Sequence, residues 1–153
     1  MSWQIMWARC RDWIDDQRFG RWNPDERLGR RGEQVAAREC RRRGLRILSE
    51  SESDRAGEID LIAMHVRART IIFIEVKTFA SEKPGHPADR VDEAKQTRLT
   101  RAALRYLRRE RLLGVNCRFD VIAVWWPKHA ARPTRIQHFE SAFEATGVDS
   151  FFT

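Results

Sequence analysis

One part of the chain limits its fold more than any other, because residues 71–126 have the pattern of a strand, a helix and a second strand. Residues 71–78 begin with IIFI, which is apolar on both faces and typical of a buried central strand. Residues 89–111 carry apolar side chains at helical spacing, and residues 117–126 read as another buried strand. A strand–helix–strand crossover predicts two parallel strands with a right-handed connection. The sequence therefore predicts an α/β fold.

The remaining segments predict the order α-β-β-β-α-β, followed by a weaker β-α. The predicted additional elements are a helix at 25–43, strands at 45–48, 57–66 and 135–139, and a short closing helix at 141–146. Residues 49–56 are polar without periodicity and predict a loop or hairpin tip. Residues 1–23 predict a separate, Trp-rich amphipathic helical extension, either packed on the domain or used for self-association, which leaves residues 24–153 as the main domain.

Composition indicates a single basic domain. The 153 residues include 29 Lys and Arg against 22 Asp and Glu, and the net charge of +7 favours a polyanionic partner. Only four of the basic residues are Lys, a ratio for which Arg-rich coding bias is an equal explanation. The longest uncharged apolar run, residues 121–126, is too short for a bilayer, so no membrane association is expected. Three well-separated cysteines and the lack of a secretory signal fit a cytoplasmic protein.

The chemical signal is Asp60 on one predicted strand and the run Glu75-Val76-Lys77 on the next. Residues i and i+2 of a strand point to the same side, so Glu75 and Lys77 share a face. If a hairpin pairs the two strands, Asp60 reaches that side as well. On spacing alone, a Glu–Lys ion pair at a strand end is the simpler interpretation. Charges that interrupt a run as apolar as residues 71–74 are costly unless they are paired, metal-bound or in a cleft.

These residue types suit phosphodiester hydrolysis. A hard cation neutralises charge on phosphoryl oxygens and lowers the pKa of an attacking water. Mg²⁺ commonly uses one or two carboxylates, which Asp60 and Glu75 supply, and the carbonyl oxygen of Val76 offers a third ligand. Lys77 is then placed to position or deprotonate the water and to meet developing charge. The sequence predicts a Mg²⁺ site here, with Mn²⁺ as a substitute.

Several short segments together resemble the YraN-like family of uncharacterised bacterial proteins. The most specific are residues 57–63, GEIDLIA, and residues 73–78, FIEVKT, at the right separation in one strand pair. Residues 32–33, 95–107 and 118–121 extend the resemblance to about residues 28–147. The family looks like the PD-(D/E)-x-K nucleases, similar to archaeal Holliday-junction resolvases and restriction endonucleases. The resemblance implies a restriction-endonuclease-like mixed sheet flanked by helices.

The resemblance also implies roles for single residues. Asp60 matches the first acid of the motif, and Glu75 and Lys77 match its second acid and its lysine. Glu33 matches an acid on the first helix that completes the metal site in resolvase-like members, although a surface pair with a nearby arginine is the alternative. Ile59 stands where the motif name has proline, a departure that touches no ligand.

The resulting prediction is a metal-dependent endonuclease that acts on DNA more readily than RNA, with branched or flapped DNA among its candidate substrates. A nucleic-acid-binding protein without turnover and a structural or assembly protein are the alternatives, and monomer and homodimer both stay open. One face of the long helix is the candidate DNA contact, although it also fits a solvated face. Its residues are Lys95, Gln96, Arg98, Arg101 and Arg105.

Two other acids favour structural interpretations. Asp120 lies two residues from Arg118 on a predicted strand, so an ion pair between them is the first expectation. Glu58 is predicted to be a surface acid rather than a further metal ligand.

Overall fold

The computed structural model describes residues 3–55, 57–81 and 87–147. Three α-helices and five strands make up this part of the chain. In chain order they are α1 (Trp3–Phe19), α2 (Leu28–Arg42), β1 (Arg46–Asp54), β2 (Gly57–His65), β3 (Thr70–Phe79), a short 3-10 helix (Pro87–Arg90), α3 (Glu93–Arg109), β4 (Asn116–Trp125) and β5 (Arg135–Phe143). The α/β class is confirmed.

The five strands form one mixed sheet in the order β1-β2-β3-β4-β5. Strands β3 and β4 are parallel and pair from Thr70 with Asn116 to Phe79 with Trp125, whereas the other neighbouring pairs are antiparallel. The crossover through α3 is therefore the one that the sequence predicts. It puts β3 in the centre of the sheet, where an apolar residue on either face is buried.

Each face of the sheet has its own apolar core. The α2 side contains Val35 and Cys40 of the helix together with Ile72 and Ile122 of the sheet. The α3 side contains Leu99 of the helix, Phe73 of β3 and further buried residues of β2 and β4. Since consecutive strand residues point to opposite faces, β3 and β4 supply both cores at once. This explains why their sequences lack a polar face.

Most of the predicted loop or hairpin tip at 49–56 is strand, because β1 continues to Asp54 and pairs with Gly57, so only the hairpin connection is left, where residue 56 lies outside the described residues. This strand is an edge of the sheet, and most of its side chains are exposed or half-buried. An edge strand with a solvent-exposed face needs no apolar alternation, so residues 49–54 have the sequence of a loop although all of them except Ser51 pair with β2. The register shifts between Ile47 and Ser49, which disrupts the alternation further.

The closing helix predicted at 141–146 is also absent, because β5 continues to Phe143. Ser141 has a left-handed φ of +49° and its backbone N–H donates to Asp120 Oδ1 over 2.9 Å, near a register shift against β4. Beyond this irregularity, Phe143 stacks on Phe119 with ring centroids 5.0 Å apart. A tertiary hydrogen bond and an aromatic contact thus hold the segment extended.

The long helix predicted at 89–111 begins later than its pattern indicates. Val91 is buried but lies before α3, in the connection after the 3-10 helix. Asp92 caps α3, and its side chain accepts a hydrogen bond of 2.8 Å from the backbone N–H of Lys95. Residues 82–86 of the predicted preceding loop lie outside the described residues.

The predicted N-terminal helix is present as α1. It contacts α2 through acids, since Asp16 Oδ1 lies 2.6 Å from Arg38 Nη1, while Met6, Trp13 and Ile14 remain exposed. Across the described part of the chain, no helix combines the length and apolar character needed to span a bilayer.

Candidate functional site

The candidate site lies where β2 and β3 separate. Their pairing runs from His65 with Thr70 to Leu61 with Ile74 and then stops. At the same point the alternation of β2 breaks, because Leu61 packs on the α2 side whereas Ile59, two residues earlier, packs on the α3 side. Asp60 lies between them. The gap between the two strands is thus occupied by a carboxylate instead of a continued ladder.

Asp60 is held in this gap by the backbone of β3. Its Oδ2 accepts a hydrogen bond of 2.7 Å from the N–H of Val76. Burial, followed by the charge of Glu75, raises the pKa of Asp60 to about 7, against the lowering effect of the Val76 hydrogen bond. Glu33 raises the pKa further and Lys95 lowers it. The side chain is therefore a carboxyl group that exchanges its proton near neutral pH.

Glu75 lies between two lysines on the α3 side. Lys77 Nζ is 2.9 Å from Glu75 Oε1, and Lys95 Nζ of α3 is 3.4 Å from Glu75 Oε2. The Glu75 side chain is 5% exposed, whereas those of Lys77 and Lys95 are 28% and 26% exposed. The carboxylate is therefore at the bottom of the site and the two ammonium groups are at its opening.

Glu33 approaches the site from α2 but is already paired. Arg30 Nη1 lies 2.8 Å from Glu33 Oε2, and the hydroxyl of Ser51 on β1 donates to the same oxygen over 3.3 Å. Arg30 also donates to Ser51, which closes a triangle of side chains. This arrangement holds the pKa of Arg30 above its usual value. Glu33 thus forms the pair with an arginine that the sequence allows, and its charge also raises the pKa of Asp60.

The chemistry of these groups fits a small, hard cation. Among the described residues, no group of three or more His, Cys, Asp or Glu side chains is arranged to hold a metal ion. Two carboxylates are nevertheless the usual protein share for Mg²⁺, with water and substrate phosphate completing the shell. Glu75 Oε2 is buried without a hydrogen-bond partner within the described residues. Lys95 Nζ lies 3.4 Å from this oxygen, so a cation bound beside the second carboxyl group would take the place of an ion pair and not of an empty contact.

The predicted DNA contacts on α3 occupy different surroundings. Arg98 and Arg101 are exposed on the helix, and the backbone of Arg98 lies beside Gly57 at the start of β2. Arg105 Nε pairs with Asp54 Oδ2 at 3.0 Å, and the Gln96 side chain donates to the carbonyl of Val91 over 2.9 Å. Lys95 belongs to the acid cluster. The five residues therefore do not form one free surface.

The sequence predicts only part of a second buried polar cluster. The predicted pair of Arg118 and Asp120 is present, with Nε 3.0 Å from Oδ1. Asp120 also contacts His138 Nε2 at 2.7 Å, and both side chains are fully buried. His138 is 18 residues away on β5, and only the register of β4 with β5 brings the two together. Glu58, by contrast, is exposed as predicted.

A cavity of about 290 Å³ lies elsewhere, between α1, α2 and the start of β5. Trp22 and Arg38 line it, and Arg38 is paired with both Asp15 and Asp16. Arg132, another lining residue, pairs with Asp12 at 2.9 Å. Because these charges neutralise one another, the cavity has no evident reactive group, and we assign the candidate site to the strand gap.

The family model and the similar proteins found by comparison all indicate the same family. The model of the uncharacterised protein family UPF0102 matches residues 32–124. A UPF0102 protein of Rhodopirellula baltica is 64% identical over 144 residues, which cover 94% of this chain and 86% of that protein. Relatives from Syntrophotalea carbinolica and Pelotomaculum thermopropionicum, also UPF0102 proteins, are 41% and 39% identical over 78% and 76% of this chain, each covered to 94%.

Proposed function

This chain belongs to the uncharacterised protein family UPF0102, and we propose that it is a metal-dependent endonuclease that cleaves DNA in the cytoplasm. The observation that carries the proposal is the convergence of Asp60, Glu75 and Lys77 where β2 and β3 separate. Two carboxyl groups and an ammonium group at one solvent-accessible opening are a minimal set for phosphodiester hydrolysis. The net charge of +7 suits a polyanionic substrate.

In this proposal Asp60 and Glu75 hold Mg²⁺ or Mn²⁺, with the carbonyl oxygen of Val76 as a further ligand. The bound ion supplies charge neutralisation at the phosphate and acidifies a water. Mutual repulsion of the two carboxyl groups is one reason for the raised pKa of Asp60, and a divalent cation would relieve it. Glu33 supports the site through its charge while remaining bonded to Arg30 and Ser51.

The two lysines have different tasks in this proposal. Lys77 shares a strand face with Glu75 and is placed to orient the attacking water and to stabilise charge on the phosphate. Lys95 enters from α3, so its position depends on the helix rather than on the strand. We assign Lys95 to the scissile phosphate, and Arg98 and Arg101 to the DNA backbone beyond it, because both arginines are exposed along the same helix.

The decisive experiment is cleavage of supercoiled, linear and branched DNA by the wild type, Asp60→Ala and Lys77→Ala in Mg²⁺ or Mn²⁺. We expect cutting by the wild type only, with losses of at least about a hundredfold in each variant. Glu58→Gln is the matched control, since it removes an exposed carboxylate from the same strand and should retain the wild-type rate. Equal cutting by all four proteins would attribute the activity to a contaminant. No cutting by any of them would remove the catalytic proposal.

One observation favours a second function, DNA binding without turnover. Glu75 is neutralised by two lysines, so the site is electrostatically satisfied without a cation. Calorimetric titration with Mn²⁺ separates the two functions. A nuclease should bind Mn²⁺ in the wild type and lose that binding in Asp60→Asn. A protein that only binds DNA should show salt-dependent DNA affinity that needs no cation and is unchanged or increased in Asp60→Asn.

A further inference from the structure

Four exposed arginines lie at one end of the sheet, away from the candidate site. Arg46 begins β1, Arg67 and Arg69 lie in the turn between β2 and β3, and Arg111 follows α3. Strand register brings these segments together: Arg46 pairs with Met64, and Thr70 pairs with both His65 and Asn116. We call these four residues the basic sheet end. They extend from β1 to the connection before β4, across about 14 Å at normal strand spacing.

The charge of the basic sheet end is not compensated by neighbouring acids. Within the described residues, none of its four arginines forms a hydrogen bond or an ion pair through its side chain with a carboxylate. The acid nearest to Arg111 in the chain, Glu110, is engaged by Arg109 at 2.9 Å. By contrast, Arg105 and Arg109 on α3 pair with Asp54 and Glu52 of β1. The protein thus neutralises arginines along the side of the sheet and leaves those at its end uncompensated.

Two of the four arginines occupy backbone conformations that disfavour them. Arg69 has a φ of +50° and Arg111 a φ of +58°, the left-handed region that costs a residue with a Cβ about 1 kcal/mol. Gly114, in the same connection as Arg111, has a φ of +86° without this cost. Arginine instead of glycine or asparagine at two such positions indicates that the side chain itself is useful there.

Three hydrogen bonds hold the turn that carries Arg67 and Arg69. The backbone N–H of Ala68 donates to His65 Nδ1 over 3.2 Å, and the Thr70 hydroxyl donates to the carbonyl of Ala68 over 3.1 Å. The N–H of Arg69 donates to the carbonyl of Val66 over 3.2 Å. A hydrogen-bonded turn reduces the backbone entropy that is lost when its arginines bind phosphates.

We propose that the basic sheet end binds the backbone of a second duplex DNA segment while a first segment occupies the strand gap. The inference rests on the proposed function, because it takes DNA as the polyanion. Thr70 and Glu75 are five residues apart on β3, about 17 Å, so the two surfaces are separated along the strand direction. Exposed Val66 and Leu113 also lie near this end, but three of the four arginines lie in turns and Arg46 begins a strand, so none lies on an amphipathic helix. This favours DNA over a lipid surface.

The test is a bridging assay in metal-free buffer. Protein bound to an immobilised 30-base-pair duplex is offered a fluorescent second duplex of the same length. We expect capture by the wild type and at least a tenfold loss in Arg67→Ala/Arg69→Asn, with first-duplex affinity changed less than twofold. Asparagine at position 69 tolerates the left-handed backbone, so the variant should keep the wild-type melting temperature. The salt slope of capture, log affinity against log salt, should decrease by about 0.9 for each phosphate that the variant no longer binds.

The control is Arg11→Ala/Lys128→Ala, which removes two charges from exposed positions outside the basic sheet end and should capture like the wild type. Unchanged capture by Arg67→Ala/Arg69→Asn would overturn the inference, as would parallel loss of first-duplex binding. Binding to phosphatidylglycerol vesicles that depends on Arg67 and Arg69, without bridging, would replace it with a membrane contact. The proposed function fails separately, through Asp60→Ala cleavage, because bridging requires no metal and no catalysis.

Discussion

The protonation of Asp60 governs metal binding at the proposed site, because this carboxyl group is half-buried in the strand gap and close to other carboxylates. Burial and the charge of Glu75 raise its pKa to about 7, so the group is largely protonated below neutral pH. A metal ligand must be deprotonated, which makes metal binding compete with this proton. The identity of the residue and its surroundings together therefore set the working pH of the proposed site.

We expect Mn²⁺ affinity to fall about tenfold for each pH unit below about 7 and to level off above it, since binding then releases one proton from Asp60. Calorimetric titration between pH 5.5 and 8.5, in buffers of different ionisation enthalpy, measures both the affinity and the released proton. An affinity that does not vary with pH would show that Asp60 is not a ligand.

Stability should depend on pH through the same residue, in the opposite sense to most carboxylates. The folded pKa is raised, so the native state holds the proton while the unfolded chain loses it, and the free energy of unfolding decreases as pH rises from about 4 to about 7. Asp60→Asn removes this titration. Urea unfolding should show the variant more stable than the wild type at pH 8 by about 2–4 kcal/mol, with the difference vanishing near pH 4. A constant difference would contradict the assignment.

Lys95 neutralises Glu75 from α3 and therefore competes with a cation for the same carboxylate. Lys95→Ala should raise Mn²⁺ affinity about tenfold, because it removes a competing positive charge. Two unit charges about 4 Å apart interact by about 4 kcal/mol near a protein surface, and solvent screening reduces this energy at the half-exposed lysine. The same variant should cleave DNA more slowly, since alanine cannot bind the scissile phosphate as the lysine is proposed to do. Arg101→Ala, an exposed arginine of the same helix, should change neither the affinity nor the fold.

At the scale of residues, the sequence predicts what short strand patterns determine. Glu75 and Lys77 share a face because i and i+2 positions must do so. The hydrogen bond from the Val76 N–H to Asp60 could not be predicted from the sequence, because it requires a break in the alternation of β2 where the strands separate. The contact of Lys95 with Glu75 could not be predicted either, because it depends on how α3 lies on the sheet.

At the scale of elements, the sequence identifies the buried strands but not the full extent of the edge strands. Strands β3 and β4 lie in the middle of the sheet and are apolar on both faces, so their sequences identify them. Strands β1 and β5 are edges with many exposed side chains, and the sequence predicts a loop and a helix where these strands in fact continue. Their extended conformation comes from backbone pairing with β2 and β4, which side-chain patterns do not record.

The contact of α2 with β3 depends on one glycine. A Cβ added at Gly32 would overlap the Thr78 hydroxyl and lie 3.0 Å from Thr78 Cβ. Gly32→Ala should lower the free energy of unfolding by about 1–3 kcal/mol, measured by urea denaturation, because the helix must move away from the sheet. Gly29→Ala is the matched control, since nothing lies within 4 Å of its added Cβ, and it should stabilise the helix by up to about 1 kcal/mol.

Thr78→Ala tests the cause of this effect. Combined with Gly32→Ala, it removes the hydroxyl and methyl groups that the new Cβ meets, so part of the stability should return. An additive double variant would mean that the destabilisation by Gly32→Ala does not arise from the contact of the new Cβ with Thr78.

At the scale of the whole molecule, both apolar cores lie between the sheet and the helices α2 and α3. None of the described residues of α1 belongs to either core, whereas Trp22, just after α1, packs against the α2-side core. The helix is attached chiefly through the ion pairs of Asp15 and Asp16 with Arg38, whose side chain is only 11% exposed. Removing these acids would leave the charge of Arg38 largely buried without them, which destabilises a protein more than the loss of a surface pair does. Residues 1–19 should therefore add to the stability of the domain, although they supply neither its apolar cores nor the candidate site.

Removal of residues 1–19 should leave a cooperatively folding protein whose melting temperature falls by about 5–10 °C, because Arg38 loses both acidic partners, and whose Mn²⁺ affinity changes less than twofold. Trp22→Ala in the full chain should cost a comparable free energy, about 2 kcal/mol, because Trp22 meets fully buried Trp126 edge-to-face at 5.7 Å. Thermal unfolding and calorimetry of both proteins measure the comparison. If the shortened chain instead unfolded without cooperativity or failed to bind Mn²⁺, α1 would be an integral part of the domain, and the division of the chain near residue 23 would be wrong.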